Sequence, residues 1–103
     1  MKLKFKNPKF YPGRNVTIRR GTKWDKCPCK DNVLIECEGE GAYDSRHTKI
    51  RTKVMMFKDL TICDLLCEHD EECRDYFGLL DRMKEYYEDF NEYELITVVE
   101  FIL

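Results

Sequence analysis

The sequence lacks any long apolar run, and its first residues alternate lysines with apolar residues instead of forming an apolar segment. A membrane-spanning helix needs about 20 consecutive apolar residues, and a secretory leader needs an apolar region near its start. We therefore expect a soluble, cytoplasmic protein with no membrane partner. Internal repeats, linkers and low-complexity stretches are also absent, so we expect residues 1–103 to form a single domain.

Six cysteines are many for 103 residues, but the sequence gives them no established spacing. Without a secretion signal we expect reduced thiols rather than disulfides. Cys27 and Cys29 resemble half of a metal knuckle, and Cys63 and Cys67 would share one face of a helix, with His47 and His69 in reserve. Because this spacing matches no standard zinc pattern, we predict no metal and no cofactor, and we interpret the cysteines as small buried hydrophobes.

The net charge of −2 conceals two halves of opposite sign. Residues 1–58 carry 15 Lys and Arg against 6 Asp and Glu, whereas residues 59–103 carry 3 against 14. A basic half suits an anionic partner such as nucleic acid. The alternative is that the two halves pack against each other and neutralise one another, and the charge pattern alone leaves both readings open.

The chemistry-bearing part of the chain is the stretch from residue 13 to residue 24. A β-branched strand at Val16–Ile18 runs directly into Arg19 and Arg20, followed by Lys23 and the only tryptophan, Trp24. Guanidinium groups match phosphate oxygens and base edges, and an indole face can stack on a base. This order predicts a small pocket for an anionic, planar ligand, of which a nucleotide is the obvious candidate.

Hydrophobic periodicity predicts five strands and two helices. The strands are expected at Lys2–Lys6, Val16–Arg20, Val33–Cys37, His47–Phe57 and Leu95–Leu103, and the helices from Asp59 or Thr61 onwards and at Cys73–Phe90. Because strands and helices do not alternate, we predict an α+β fold: a small, mixed, mostly antiparallel sheet or barrel of five to six strands with two flanking helices.

Two local features of the predicted helices can be checked individually. Thr61 followed by Asp64 resembles a capping box at the start of the first helix. Gly78 lies inside the second helix, where a glycine weakens a helix by about 1 kcal/mol relative to alanine.

The stretch from Gly13 to Arg19, Gly-Arg-Asn-Val-Thr-Ile-Arg, resembles the Gly-Lys/Arg-Lys-Thr-x-Thr-x-Arg signature of ASCH domains, a family of the PUA-like superfamily. The Asp-Leu-Thr at residues 59–61, His69 before its acidic neighbours and the last strand are also similar to that family. The resemblance implies a compact PUA-like β-barrel with flanking helices that binds RNA or nucleotides. One branch of similar size hydrolyses N4-acetylcytidine, using a lysine and a threonine of the signature strand and a glutamate from the helical region.

This chain departs from the signature at the lysine. One residue is missing after the glycine, so either Arg14 or Asn15 occupies the family's lysine position, and neither side chain can act as a base. Thr17 and Arg19 match directly, whereas the helical glutamate maps near Glu71 or Glu72. Recognition of a ligand therefore tolerates these changes better than catalysis does.

The resemblance and the residue types together assign candidate roles, each with a structural alternative. The predicted ligand-binding residues are Arg14, Arg19, Arg20, Lys23, Trp24 and Glu71, and the predicted catalytic residues of the hydrolase alternative are Thr17, Lys23 and Glu72. The alternatives are a buried pairing of Arg19 with the acidic helices, a tryptophan that plugs the core or its rim, and a lysine and glutamates that are merely solvated.

The favoured hypothesis is an RNA- or nucleotide-binding module that recognises a base, including a modified one, in a small basic pocket. One alternative is an amidohydrolase acting on N4-acetylcytidine or a related acylated nucleoside. Another is a protein-interaction or inhibitory module that uses the acidic helices within residues 59–94. The sequence leaves open whether the chain is an enzyme, and it leaves the oligomeric state open.

Overall fold

The computed structural model describes residues 2–6, 8–28, 30–39 and 44–103, which form six strands and two α-helices. The strands are β1 (Lys2–Lys6), β2 (Arg14–Arg20), β3 (Val33–Glu38), β4 (Arg46–Thr48), β5 (Ile50–Met56) and β6 (Leu95–Ile102). The helices are α1 (Ile62–Leu65) and α2 (Tyr76–Tyr86), each preceded by a short 3-10 turn, at Phe57–Asp59 and Glu71–Cys73.

The strands form two three-stranded sheets. One sheet has the order β1-β3-β4, and the other has the order β2-β6-β5. Only β1 and β3 run parallel, and the other three pairings are antiparallel. The predicted mixed α+β class is therefore confirmed, but no ladder joins the two sheets among the described strands, so they do not form a closed barrel.

Two predicted elements show the largest differences from the structure in their bounds. The predicted strand at 47–57 is divided at Lys49, because β4 pairs with β3 while β5 pairs with β6 in the other sheet. The second helix starts only at Tyr76, where the side chain of Asp75 caps it by accepting a hydrogen bond from the Gly78 N–H at 2.8 Å. The Thr61–Asp64 cap is present, since the backbone N–H and the hydroxyl of Thr61 both donate to the Asp64 carboxylate.

Apolar side chains form two buried clusters on either side of the β2-β6-β5 sheet. The cluster between the two sheets consists of Leu3, Phe5, Val33, Ile35, Ile50, Val99 and Phe101, with Trp24 packed at its margin. The cluster under the helices consists of Val16, Ile18, Phe57, Leu60, Leu65, Cys73, Leu79, Leu80, Met83, Phe90, Ile96 and Val98. The alternation of buried and exposed residues along β1 is the one that the sequence predicts.

Gly78 is required at its position by a close approach of the backbone. A Cβ atom on Gly78 would lie 2.0 Å from the carbonyl oxygen of Glu72, in the 3-10 turn that packs against α2. Helix propensity alone predicts that Gly78→Ala stabilises the protein by about 1 kcal/mol. We expect the opposite, a loss of about 1–3 kcal/mol in the free energy of unfolding, because the backbone must move to relieve this overlap.

Urea unfolding measures this effect directly. Asp81→Ala, on the exposed side of the same helix, is the matched control and should change the free energy of unfolding by no more than about 0.5 kcal/mol. A Gly78→Ala variant that is as stable as the parent would contradict the packing of residues 71–73 against α2.

Candidate ligand-binding site

A cavity of about 720 Å³ lies between the edge strands of the two sheets, β1 and β2, and α2 closes one side of it. Its volume is within the range of about 300–1,000 Å³ that is typical of ligand pockets. The lining residues are Lys4, Phe5 and Lys6 of β1, Thr17, Ile18 and Arg19 of β2, Glu68, His69 and Asp70 of the connection, Cys73, and Leu79, Arg82, Met83, Tyr86 and Tyr87 around α2.

The cavity begins where a short backbone pairing along β2 ends. The Val16 N–H donates to the Cys67 carbonyl at 2.8 Å, and the His69 N–H donates to the Val16 carbonyl at 3.1 Å. This parallel bridge brings Glu68 alongside β2. Beyond Val16 the connection turns away towards Asp70, so the next residues of β2 face an open space.

Arg19 reaches into this space with few partners. One guanidinium nitrogen, Nη2, donates to the carbonyl oxygen of Lys4 at 3.4 Å, and the guanidinium carbon lies 5.4 Å from the centre of the Phe5 ring. The Nε atom is buried and makes no hydrogen bond to any described residue. Burial lowers the pKa of Arg19, and the negative charge of Glu68 partly opposes this shift. The guanidinium therefore retains donor capacity towards the cavity.

Glu68 supplies a buried carboxylate on the same cavity, and it is only 2 % exposed. One oxygen, Oε2, accepts a hydrogen bond from the Asp70 N–H at 2.6 Å. The other oxygen, Oε1, lies 2.8 Å from His69 Nδ1, although the two atoms do not have hydrogen-bond geometry. The sequence predicts the acidic role at Glu71 or Glu72, and Glu68 is not among the predicted residues. No periodic pattern marks this residue, because it lies in an irregular connection between helices.

Thr17 and Arg19 are the two predicted site residues that line the cavity. Thr17 is 2 % exposed, and its backbone pairs with Val99 of β6. Because side chains alternate along a strand, Thr17 and Arg19 lie on the same face of β2. The cavity thus brings together the threonine and arginine of the signature strand with Glu68, a glutamate that the sequence does not predict.

The neighbouring arginines of β2 are engaged elsewhere. Arg14 donates from Nε to Glu100 at 2.7 Å and from Nη1 to the Cys63 carbonyl at 3.0 Å. Arg20 pairs with Asp89 and Glu94, whose hydrogen bonds raise its pKa. These pairs, together with that of Lys53 with Asp64, join the basic half of the chain to its acidic half. The neutralisation that the charge pattern left open therefore occurs at these three cations.

The other predicted site residues lie outside the cavity lining. Lys23 is exposed in the turn after β2, and Trp24 packs against the cluster between the sheets. Glu71 and Glu72 are exposed on the 3-10 turn, where Glu72 forms an ion pair with Arg82. The structure therefore does not bring Lys23 and Glu72 together with Thr17, as the predicted catalytic set requires.

The cysteines of the described segments do not form a metal centre. Five of them are described and are free thiols, whereas Cys29 of the knuckle-like pair lies outside the described residues. No three or more His, Cys, Asp or Glu side chains within these segments are arranged to hold a metal ion. Burial, followed by the charges of Glu68 and Asp70, raises the pKa of Cys73 well above its ordinary value, so this thiol stays protonated.

No helix within the described part of the chain combines the length and apolar character needed to cross a membrane.

Comparison of the chain with protein-family models, with curated proteins and with solved structures finds no match. The resemblance to ASCH domains therefore remains a hypothesis that rests on the signature at residues 13–19.

Proposed function

We propose that this chain binds a nucleobase-containing ligand, a nucleoside, a nucleotide or a base of RNA, in the cavity between β1 and β2. The observation that carries the proposal is the presence of the Arg19 guanidinium and the buried Glu68 carboxylate in one cavity. An ionised carboxylate only accepts hydrogen bonds and a guanidinium only donates them. A neutral planar group with both donors and acceptors satisfies the two together, whereas a phosphate beside Glu68 would be repelled.

The rim of the cavity suits the rest of a nucleotide. Lys4 and Lys6 line it from β1, and both are exposed. Tyr86 and Tyr87 line it at the end of α2, where an aromatic ring is able to stack on a base. We assign the base to the interior beside Arg19, and the phosphate to the two lysines. In terms of the resemblance, the fold would be a PUA-like barrel that is open between β1 and β2.

A second function is favoured by the position of Thr17. Its side chain lines the same cavity as Glu68, and these residue types correspond to the threonine and glutamate of the N4-acetylcytidine hydrolases that the signature resembles. A lysine of β1, Lys4 or Lys6, would have to replace the lysine that the signature lacks. Incubation with N4-acetylcytidine tests this alternative, and it requires release of cytidine that disappears in Thr17→Ala.

Calorimetric titration with the four common nucleosides and their 5′-monophosphates tests the principal proposal. We expect at least one nucleoside to bind, and its monophosphate to bind more tightly at low salt. Replacing both Lys4 and Lys6 by alanine should remove this gain, about fivefold for each exposed ion pair of about 1 kcal/mol. The nucleoside itself should bind the double variant as it binds the parent.

Lys23→Ala is the matched control, because Lys23 is an exposed lysine outside the cavity lining. The affinity of Lys23→Ala for the monophosphate should equal that of the parent. Absence of binding by all eight compounds at millimolar concentration would overturn the proposed function. An affinity for the monophosphate that depends on Lys23 but not on Lys4 and Lys6 would place the phosphate elsewhere.

A further inference from the structure

The backbone of β2 has one hydrogen-bonding edge that is only partly used. Towards β6, Gly13 exchanges hydrogen bonds with Leu103 at 3.0 and 2.9 Å, and the Gly21 N–H donates to Leu95 at 2.9 Å. In an antiparallel pair the residues alternate between those bonded to the partner strand and those whose peptide groups point away from it. The register therefore directs the N–H and carbonyl groups of the odd-numbered residues of β2 towards β6. Those of the even-numbered residues point towards the opposite edge.

On that opposite edge, Val16 is bonded to the connection at Cys67 and His69, whereas Ile18 is not. Its N–H and its carbonyl point to the same side as those of Val16, two residues further along the strand. No described residue forms a hydrogen bond with either group on this side. Arg20 has the same orientation along this edge but lies outside the cavity lining, and the chain then leaves the strand at Gly21 with a φ of +78°.

The cavity surrounds this unpaired edge from both faces of the strand. Thr17 and Arg19 line it from one face. The side chain of Ile18 points to the other face, into the cluster under the helices, where Leu79 and Met83 complete the wall. The peptide groups of Ile18, which lie in the plane of the sheet, are therefore directed into the cavity.

We propose that the N–H and carbonyl of Ile18 form a backbone binding site for the edge of a planar heterocycle that has a hydrogen-bond acceptor next to a donor. The inference rests on the proposed function, and it names the ligand edge that this site takes. The Ile18 N–H donates to the acceptor, and the Ile18 carbonyl accepts from the adjacent N–H. Of the described residues on this edge, only Ile18 lies in the cavity lining, so the edge offers a ligand in the cavity two backbone hydrogen bonds.

Arg19 and Glu68 extend the same pattern. The backbone of Ile18 bonds to one acceptor and one donor of the ligand. The Arg19 guanidinium donates to a further acceptor, and the Glu68 carboxylate accepts from a further donor. Unpaired polar groups in a buried site are costly, so a ligand whose donor is blocked should be rejected strongly. The site therefore selects ligands by the donor and acceptor on the edge of the heterocycle. Two of the hydrogen bonds come from the Ile18 backbone, so no side-chain substitution removes them.

Amide NMR spectroscopy of the full chain tests the inference in two steps. In the free protein, the Ile18 amide should exchange with solvent at least about tenfold faster than the amides of Thr17 and Arg19, which are bonded to β6. Addition of the nucleoside that binds most tightly should shift the Ile18 amide resonance downfield and slow its exchange by about tenfold. The control ligand is the same nucleoside with the donor to the Ile18 carbonyl removed, by methylation of the ring N–H or by dimethylation of the amino group, and it should produce neither effect.

Each outcome decides the inference separately from the proposed function. Equal protection of residues 17, 18 and 19 in the free protein would overturn the inference, whatever binds. Binding of a nucleoside that leaves the Ile18 amide unchanged would overturn it and leave the proposed function standing. If no nucleoside binds, the proposed function fails, and 2-pyridone, which carries an N–H beside a carbonyl, replaces the nucleosides as the probe. A shift of the Ile18 amide with 2-pyridone supports the backbone site, and no shift overturns it.

Discussion

Replacing Arg19 by methionine is expected to weaken nucleoside binding by about 10- to 100-fold, the value of one or two hydrogen bonds from a charged donor. The free energy of unfolding should stay the same or increase. The reason is that the guanidinium is desolvated in the free protein, where it makes a single long hydrogen bond and its Nε has no described partner. Methionine fills a similar volume without this cost.

The stability measurement separates a binding role from a structural one. Had Arg19 been a buried partner of an acidic helix, its removal would leave a carboxylate uncompensated and cost about 3–5 kcal/mol. Glu68 keeps the Asp70 N–H in the variant, so this large cost should not occur. Loss of binding with retained or greater stability is the trade-off typical of functional sites.

Arg14→Met is the matched control for Arg19→Met. Arg14 belongs to the same strand, but its guanidinium is bonded to Glu100 and to the Cys63 carbonyl outside the cavity lining. Nucleoside affinity should be the same in Arg14→Met as in the parent. A severe loss of stability in Arg19→Met, or equal affinity of Arg19→Met and the parent, would contradict the assignment of this arginine to the ligand.

The features that the sequence predicts correctly are local. Alternation along β1 and the β-branched run in β2 predict these strands, because each strand buries one face in a cluster. The cap at Thr61 is also visible, since it needs only two residues three apart. From the alternation in β2, the sequence directs Thr17 away from Val16 and Ile18, which is the geometry observed at the cavity.

The features that the sequence does not predict are non-local. The cavity exists because β1 pairs in parallel with β3, which leaves the opposite edge of β1 facing β2, and no local pattern encodes that pairing. Glu68 enters the site through a single bridge to Val16 within an irregular connection. Alternation along β2 separates Arg19 from Arg14 and Arg20, but the acidic partners that engage Arg14 and Arg20 come from distant parts of the chain and are not visible in the sequence.

The effect of Gly78 on stability likewise depends on a non-local contact. Its helical position suggests an unfavourable residue, whereas the carbonyl of Glu72 occupies the space that a side chain would need. The clash comes from the packing of a 3-10 turn on α2, so propensity within the helix cannot reveal it. The packing of α2 therefore depends on close contacts with residues outside the helix, which the sequence pattern of the helix does not show.

Phe57→Ala is expected to lower the free energy of unfolding by about 3–5 kcal/mol, a large share of the about 5–15 kcal/mol that holds a domain folded. Phe57 is fully buried, and its ring centre lies 5.1 Å from that of Tyr76 and 5.4 Å from that of Phe90. Its N–H donates to the Glu94 carbonyl at 2.9 Å, so the residue joins the end of β5 to the start of β6 and to α2.

Urea unfolding with Phe77→Ala as the control measures the contribution of this cluster. Phe77 is an aromatic residue of α2 that is 73 % exposed, so its removal should cost less than about 1 kcal/mol. The cluster around Phe57 also contains Leu79 and Met83, which form one wall of the cavity. Equal effects of the two substitutions would mean that α2 does not pack on the β2-β6-β5 sheet through Phe57. The cavity would then lack the wall on which the placement of a ligand beside Arg19 depends.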